Sequence, residues 1–291
     1  LPLKKLFEHS TGRSPQCSVL MSIYSKNTTE EVLTSFRSIE SQSQANLEVV
    51  IIIDGPVEKE LLDRTINSAK HIHKKFINFT VLQLNVNRGL GAALNVGIAL
   101  IRSPYIIRFD CDDISIEDRG KIQFDILTED MNIGVTSSYV TEHSNLLEKH
   151  LRVKTCALHT EQAKKISHIY SPVNHPSSAI RLDALKESGG YNEHIKFHED
   201  YILWLSMLAN GWKVHGTKEI LVKMKVDSNL YRRRGGFEYA CLAIKARLML
   251  YKINVFTLKQ ALLGVFISGL YRLLPTFLRK QILFIFMRKN G

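Results

Sequence analysis

Cysteine is scarce in this chain: Cys17, Cys111, Cys156 and Cys241 are the four among 291 residues. No two are close in sequence, and no Cys-x-x-Cys or mixed Cys/His spacing occurs. That excludes a zinc ribbon or a disulfide-stapled secreted module, and predicts reduced thiols in a cytosolic protein. Long apolar runs are also missing. None reaches the ~20 residues that span a bilayer. Leu1 to Gln16 is short, mixed and basic, so no export signal is expected there. The sequons Asn27-Thr28-Thr29 and Asn78-Phe79-Thr80 are discounted for the same reason. Internal repeats and low-complexity segments are absent. Acidic residues vanish from one region altogether: residues 239–291 hold nine Lys and Arg and no Asp or Glu. With a net charge of +11, the rest of the chain is nearly balanced. A nucleic-acid-binding module needs basic residues spread over a face with interleaved aromatics, and confinement to the tail and one loop argues against that class.

What remains is a 45% hydrophobic chain, enough for a packed core. Apolar runs at Ser18–Tyr24, Leu47–Ile53, Phe79–Leu84 and Tyr105–Ile107 predict buried strands. Helical spacing between them, through Leu33, Phe36 and Ile39, over 58–75 and over 92–102, gives β-α-β-α-β-α-β. The fold class expected is α/β, a mostly parallel, Rossmann-like sheet with helices on both faces. The second half is less regular. Strands are expected at 133–140, 146–153 and 177–180, and strand, turn, strand over 213–226. Helices are expected at 160–169, 182–187 and 199–210. Three amphipathic helices, about 237–251, 258–274 and 276–288, close the chain.

Arg108-Phe109-Asp110-Cys111-Asp112-Asp113 is the stretch that organises the rest. Three carboxylates arrive at the end of a buried strand, which does not tolerate unpaired charge, so they must sit where the strand leaves the sheet. Ligands bind in that crevice of a parallel sheet. Asp110 and Asp112 clustered there suit a hard cation, Mn²⁺ or Mg²⁺, shared with substrate phosphates. A polar turn capping a helix entry at Ile114–Asp118 is the alternative, and Asp113 fits it. Asp54-Gly55-Pro56 ends the second strand, either as a ligand reader or as a simple Asp-Gly turn. Asn87-Arg88-Gly89-Leu90-Gly91 is a glycine turn into a helix, whose N–H groups and Arg88 suit a phosphate. Arg119 either pairs with the carboxylates or caps locally. His198-Glu199-Asp200 opens an apolar helix, where the dipole favours one carboxylate whatever its function. Tyr231-Arg232-Arg233-Arg234 is either a phosphate clamp or a solvated charge run.

Taken in order, Tyr105–Ser115 with Asp118-Arg119 and Gln123, Asn87–Asn95, and Glu199-Asp200-Tyr201-Ile202-Leu203-Trp204 resemble the motifs of family-2 glycosyltransferases over roughly residues 16–230. The resemblance implies the GT-A fold and an inverting, metal-dependent hexosyltransferase using a nucleotide-diphosphate sugar, with UDP-galactose or UDP-N-acetylglucosamine the frequent donors. It implies donor contacts from Asp54, Arg88, Asp110, Asp112, Arg233 and Arg234, with Asp110 and Asp112 on the metal. Asp200 is implied as the base, with Glu199 and His175 near the acceptor. The family pattern at Asp54 usually has two adjacent Asp; here one is replaced by Ile53. Residues 15–130 are then the nucleotide-sugar half, 131–236 the acceptor half and 237–291 a basic helical tail.

Basic helices with aromatic and aliphatic faces lie in membrane interfaces, attracted by anionic lipid. Packing on the catalytic domain, or a homodimer contact, is the other use of such helices. The expected protein is peripheral on the inner face of the plasma membrane. Its acceptor would be a lipid-linked (polyprenyl diphosphate) oligosaccharide of O-antigen or capsule synthesis. The rivals are a basic membrane- or nucleic-acid-binding module without transferase activity and a metal-dependent nucleotidyltransferase; the latter needs a triphosphate loop that the sequence lacks.

Overall fold

The computed structural model of the chain describes residues 3–144, 150–226, 235–275, 277–279 and 281. An edge strand, β1 (Leu3–Ser10), runs antiparallel to the sheet's first half. That half is built from β2 (Cys17–Ile23), α1 (Thr29–Glu40), β3 (Leu47–Ile53), α2 (Lys59–Ile72), β4 (Asn78–Leu84), α3 (Leu90–Ile98) and β5 (Tyr105–Asp110). The strands β2 to β5 pair in parallel. Leu-Glu-Val-Val-Ile-Ile-Ile in β3 is buried along its whole length, as a strand covered on both faces must be. Successive side chains alternate between faces. Val49, Ile51 and Ile53 therefore join Phe36 and Ile39 of α1. Val50 and Ile52 instead join Leu94 of α3 and a fully buried Trp204. Thr28 and Glu31 form a reciprocal capping box that starts α1.

The second half comprises β6 (Ile114–Ser115), α4 (Arg119–Glu129), β7 (Ile133–His143), β8 (His150–Lys154), α5 (Thr160–Ile166), β9 (Ala179–Arg181), α6 (Leu182–Glu187), α7 (Glu199–Ala209) and β10 (Lys213–Lys225). The strand order is β1-β4-β3-β2-β5-β9-β7-β10-β6, with β8 paired to β7. One sheet thus runs through both halves. The helices α8 (Phe237–Lys252) and α9 (Leu258–Leu273) pack on each other and on the sheet's helical layer, burying Tyr239, Ala243, Ala246, Leu250 and Ala261.

Several elements differ from the sequence expectation. Ile114–Ser115 is a short strand, not a helix entry, because β10 passes beside it and pairs Val222 with Ser115. Asp113 accepts a hydrogen bond from Lys225 N at 2.8 Å and caps no helix. Residues 213–225 form one strand, whose polar Thr217–Glu219 stretch is absorbed as a register shift against β7. The edge strand β1 was not expected. Residues 146–149 of the strand expected at 146–153, whose remainder is β8, and most of the expected helix at 276–288 lie outside the described residues.

Candidate active site

The carboxyl ends of β2, β3 and β5 share one edge, since Ile23 pairs with Ile53 and Ser22 with Asp110. Asp54 and Asp110 emerge there on either side of β2. Asp110 is partly exposed and ion-paired to Arg108, a guanidinium almost wholly buried in the strand. Burial lifts the Asp112 carboxyl to about 7, helped by the charges of Asp110 and Glu31. Asp113 is pushed well above the usual carboxylate range, by burial first and then by Asp112 and Asp110. Glu31, from the start of α1, is ion-paired to Lys225 at 2.6 Å. Sequence reasoning missed Glu31 as a neighbour of the cluster, because its capping box accounts for it locally.

Arg119 lies beneath the carboxylates and contacts none of them by hydrogen bond. Its Nε donates to Gln123 Oε1 at 3.0 Å and its Nη1 to Ser115 Oγ at 2.7 Å. Nη2 donates to the carbonyls of Arg108 and Ser178 at 2.6 and 3.1 Å. The guanidinium sits 4.8 Å from the Phe109 ring centroid. It bolts β5 to the turn around His175–Ser177, so neither alternative read from the sequence describes it.

Asp54 is buried, and both of its oxygens accept backbone N–H groups. Arg88 N donates at 2.7 Å and Gly89 N at 2.9 Å, while Asn87 Nδ2 donates to the Asp54 carbonyl at 3.0 Å. Gly55, at φ +88°, lies so close to the backbone of Asn87 that a Cβ would stand 2.5 Å from its nitrogen. Asp54 therefore shapes the loop that opens α3. The Arg88 side chain is ion-paired to Glu193 at 2.8 Å, across the cleft. Asn95 of α3 bonds both backbone groups of Tyr191. These contacts stitch the 87–95 segment to the Gly189–Glu193 turn.

On the opposite wall, Glu199 and Asp200 occupy the first turn of α7. Glu199 is buried, and burial, then Asp200, lifts its carboxyl to about 7. Its Oε2 has no hydrogen-bond partner among the described residues. His175 is buried behind this wall, with Nε2 3.0 Å from the Tyr191 hydroxyl. Desolvation, followed by the charges of Arg108, Lys154 and Arg119, holds its pKa well below the ordinary value. It is a neutral imidazole packed beside Tyr191 and Trp204. Arg233 and Arg234 lie outside the described residues.

The two acidic groups, distant in sequence, converge on Tyr191 and Arg108. The buried Tyr191 phenol is raised by desolvation, and then feels Arg108, Asp200, Asp110 and Glu199 together. The Arg108 charge in turn favours ionised Glu199. The end of β5 and the start of α7 therefore both lie within electrostatic range of the buried Tyr191 and Arg108. Among the described residues no three His, Cys, Asp or Glu side chains are arranged to hold a metal by themselves. A divalent cation bound to a nucleotide usually takes one or two carboxylates, its other ligands being phosphate oxygens and water. The raised Asp112 beside Asp110 fits that demand, since a cation would reverse the repulsion between them.

Comparison with known proteins agrees with this architecture. The glycosyl transferase family 2 profile matches residues 18–189. The chain is 34% identical over 271 residues to the UDP-Gal:alpha-D-GlcNAc-diphosphoundecaprenol beta-1,3-galactosyltransferase of Escherichia coli, covering 92% of this chain and 95% of that one. It is 28% identical to the amylovoran biosynthesis glycosyltransferase AmsE of Erwinia amylovora, covering 90% and 93%. Among solved structures, the mannosyltransferase PcManGT from Pyrobaculum calidifontis, in complex with GDP-Man and Mn²⁺, superposes with a TM-score of 0.63 at 14% identity, over 84% of this chain and 66% of that one. S. aureus TarS gives 0.63 at 16% identity, over 88% of this chain but 43% of the longer TarS chain. The fold is GT-A, and the parallel sheet carrying Asp110 at its edge belongs to a transferase: the chain is a member of glycosyl transferase family 2.

Proposed function

We propose that this glycosyltransferase moves galactose from UDP-galactose to a hydroxyl of a saccharide linked through diphosphate to a polyprenol, with inversion at the anomeric carbon. The observation that carries the reading is that Asp110 and Asp200, distant in sequence, both act electrostatically on the buried Tyr191; in this reading the first belongs to the phosphate-and-cation wall and the second to the carboxylate wall. The 34% identity to an enzyme named for UDP-Gal and a GlcNAc-diphosphoundecaprenol acceptor supports the choice of donor and acceptor.

In this reading the donor diphosphate lies between Asp110, Asp112 and the loop of Arg88 and Gly89. Asp110 and Asp112 would hold a divalent cation, Mn²⁺ or Mg²⁺, which would supply Lewis-acid neutralisation of the departing diphosphate. Arg233 and Arg234 add forked donors to its oxygens. Asp200 accepts the proton of the acceptor hydroxyl as its oxygen bonds to the anomeric carbon, and the bond to UDP breaks on the opposite face. Glu199 orients the acceptor through its buried oxygen. His175, neutral and packed on Tyr191, acts by fixing that wall.

No helix among the described residues is long and apolar enough to cross a membrane. α9 instead exposes Leu258, Leu262, Phe266 and Leu273 at helical spacing, within a segment that carries only basic charge. These helices set the enzyme on the anionic cytoplasmic face of the plasma membrane, where a polyprenyl diphosphate acceptor resides. The test is a panel of nucleotide sugars, with and without Mn²⁺, against a synthetic GlcNAc diphospholipid. Galactose transfer that needs Mn²⁺ and yields a β linkage is the expected result. Transfer of another sugar, retention at the anomeric carbon, or no response to any nucleotide sugar would overturn the corresponding part.

A further inference from the structure

Phe197 stands immediately before His198-Glu199-Asp200, and its backbone is at φ +66°. A bulky L residue adopts that conformation only when its surroundings impose it, and such strain collects at functional positions. The residue is nevertheless 59% exposed. Its ring is fixed by Tyr239 of α8, stacked at 5.5 Å between centroids with 24° between planes. Tyr239 is itself buried, with the Arg272 guanidinium 4.9 Å from its ring centroid and the His198 ring edge-on at 5.2 Å. A strained backbone and a three-residue brace therefore hold a large apolar ring at the surface, where burial alone would have withdrawn it.

Phe197 stands three residues before Asp200, so their Cα atoms are at most ~10 Å apart. The sugar presenting its hydroxyl to Asp200 has a C–H face that packs well on an aromatic ring. We propose that Phe197 is the acceptor platform: the sugar that carries the attacking hydroxyl stacks its C–H face on this ring, and Tyr239 is the positioning residue behind it. This rests on Asp200 being the base. It assigns the C-terminal helices a part in acceptor binding, besides any part at the membrane.

The experiment compares wild type, Phe197→Ala, Phe197→Gly and Phe197→Tyr with UDP-galactose, or whichever nucleotide sugar supports turnover. Two acceptors are used, GlcNAc-α-diphosphate on a short alkyl chain and on undecaprenol. Phe197→Ala is expected to raise the KM for both acceptors about tenfold, with the donor KM unchanged and rescue by Tyr. Phe197→Gly relieves the strain, so it should share the acceptor defect while melting above the Ala variant. An unchanged acceptor KM in the Ala variant overturns the platform, as does a parallel rise in donor KM. A defect confined to the undecaprenyl acceptor would place lipid, not sugar, on the ring, and also overturns it. Asp200→Asn run alongside separates the two ideas. If it keeps its rate, the base assignment falls whatever Phe197 does. If it is inactive while Phe197→Ala is normal, the platform alone falls.

Discussion

Asp110 ends a strand clamped between β2 and β9, whereas Asp200 opens a helix that leans on α8. The first wall is held by directed polar bonds. Arg119 alone makes four of them, three to β5, β6 and the turn before β9 and one to Gln123 of its own helix. The second wall is held by rings. Phe197, His198 and Tyr201 meet Tyr239 and Arg247 of α8, and the Arg247 guanidinium lies 5.4 Å from the Tyr201 centroid. Hydrogen bonds fix direction and leave a metal-side carboxylate little freedom. Ring contacts tolerate small displacements, so the acceptor wall can adjust while the donor wall cannot. That division suits the proposed reading, in which the donor is a soluble nucleotide sugar and the acceptor is lipid-linked.

The largest effects should come from the reacting groups. Asp200→Asn is expected to lower kcat by about 10²–10⁴ with the donor KM unchanged, because it removes only proton transfer. A loss of donor affinity, read by UDP titration calorimetry, would move Asp200 to the other wall. Asp112→Asn should lower kcat/KM by roughly a hundredfold or more and abolish the Mn²⁺ response. Arg119→Met breaks four buried hydrogen bonds and should cost about 4 kcal/mol of stability. Its loss in thermal denaturation should greatly exceed that of Tyr201→Phe. The latter removes one bond, Tyr201 hydroxyl to Ser167 carbonyl at 2.6 Å, worth about 1 kcal/mol. Equal losses would erase the distinction between the two walls.

Glu199 gives that comparison a pH axis. Its carboxyl is raised from 4.5 to about 7 in the fold, chiefly by burial. Between those values the native state holds a proton that the unfolded chain has released. Stability therefore falls as pH rises through this window, and the full cost is present above it. Glu199→Gln stays neutral throughout. It should be more stable than wild type by about 2–3 kcal/mol near pH 8 and equal to it near pH 4. A constant difference across the range would show that folding does not shift the Glu199 carboxyl.

The end of β5 was legible in the sequence, because a buried strand ending in Asp110-Cys111-Asp112 declares itself through its apolar run. β3, buried on both faces, was readable from Leu47 to Ile53 for the same reason. The acceptor wall was read from Glu199-Asp200 before an apolar helix, but its supports were not. Tyr191 gathers both clusters only through tertiary contacts with Arg108 and His175, and no periodicity signals that. The Arg88–Glu193 pair joins residues far apart in the chain. β1 was missed because Leu-Lys-Lys-Leu-Phe-Glu-His has the mixed character of an edge strand, paired on one side only.

The smallest stability effect is expected where the tail meets lipid. The sequence suggested deleting residues 255–291 to release the protein from membranes, yet that cut would remove Phe256 and Ala261, which are buried in the same core cluster as Leu250. It would also strip the Arg272 contact from Tyr239. Point changes on the outer face avoid this. Leu262 and Phe266 are 59% and 64% exposed on α9, so Leu262→Glu with Phe266→Glu should leave the melting temperature within a degree or so of wild type. Each residue contributes up to about 1.5–3 kcal/mol when its side chain enters an apolar phase. Partition to vesicles containing anionic lipid should therefore fall at least about tenfold, and turnover of the short-chain acceptor should not change. If partition is unaffected but gel filtration shows a dimer becoming a monomer, the face belongs to a second copy of the chain. The basic tail would then be serving assembly, with the acceptor's lipid met elsewhere on the surface.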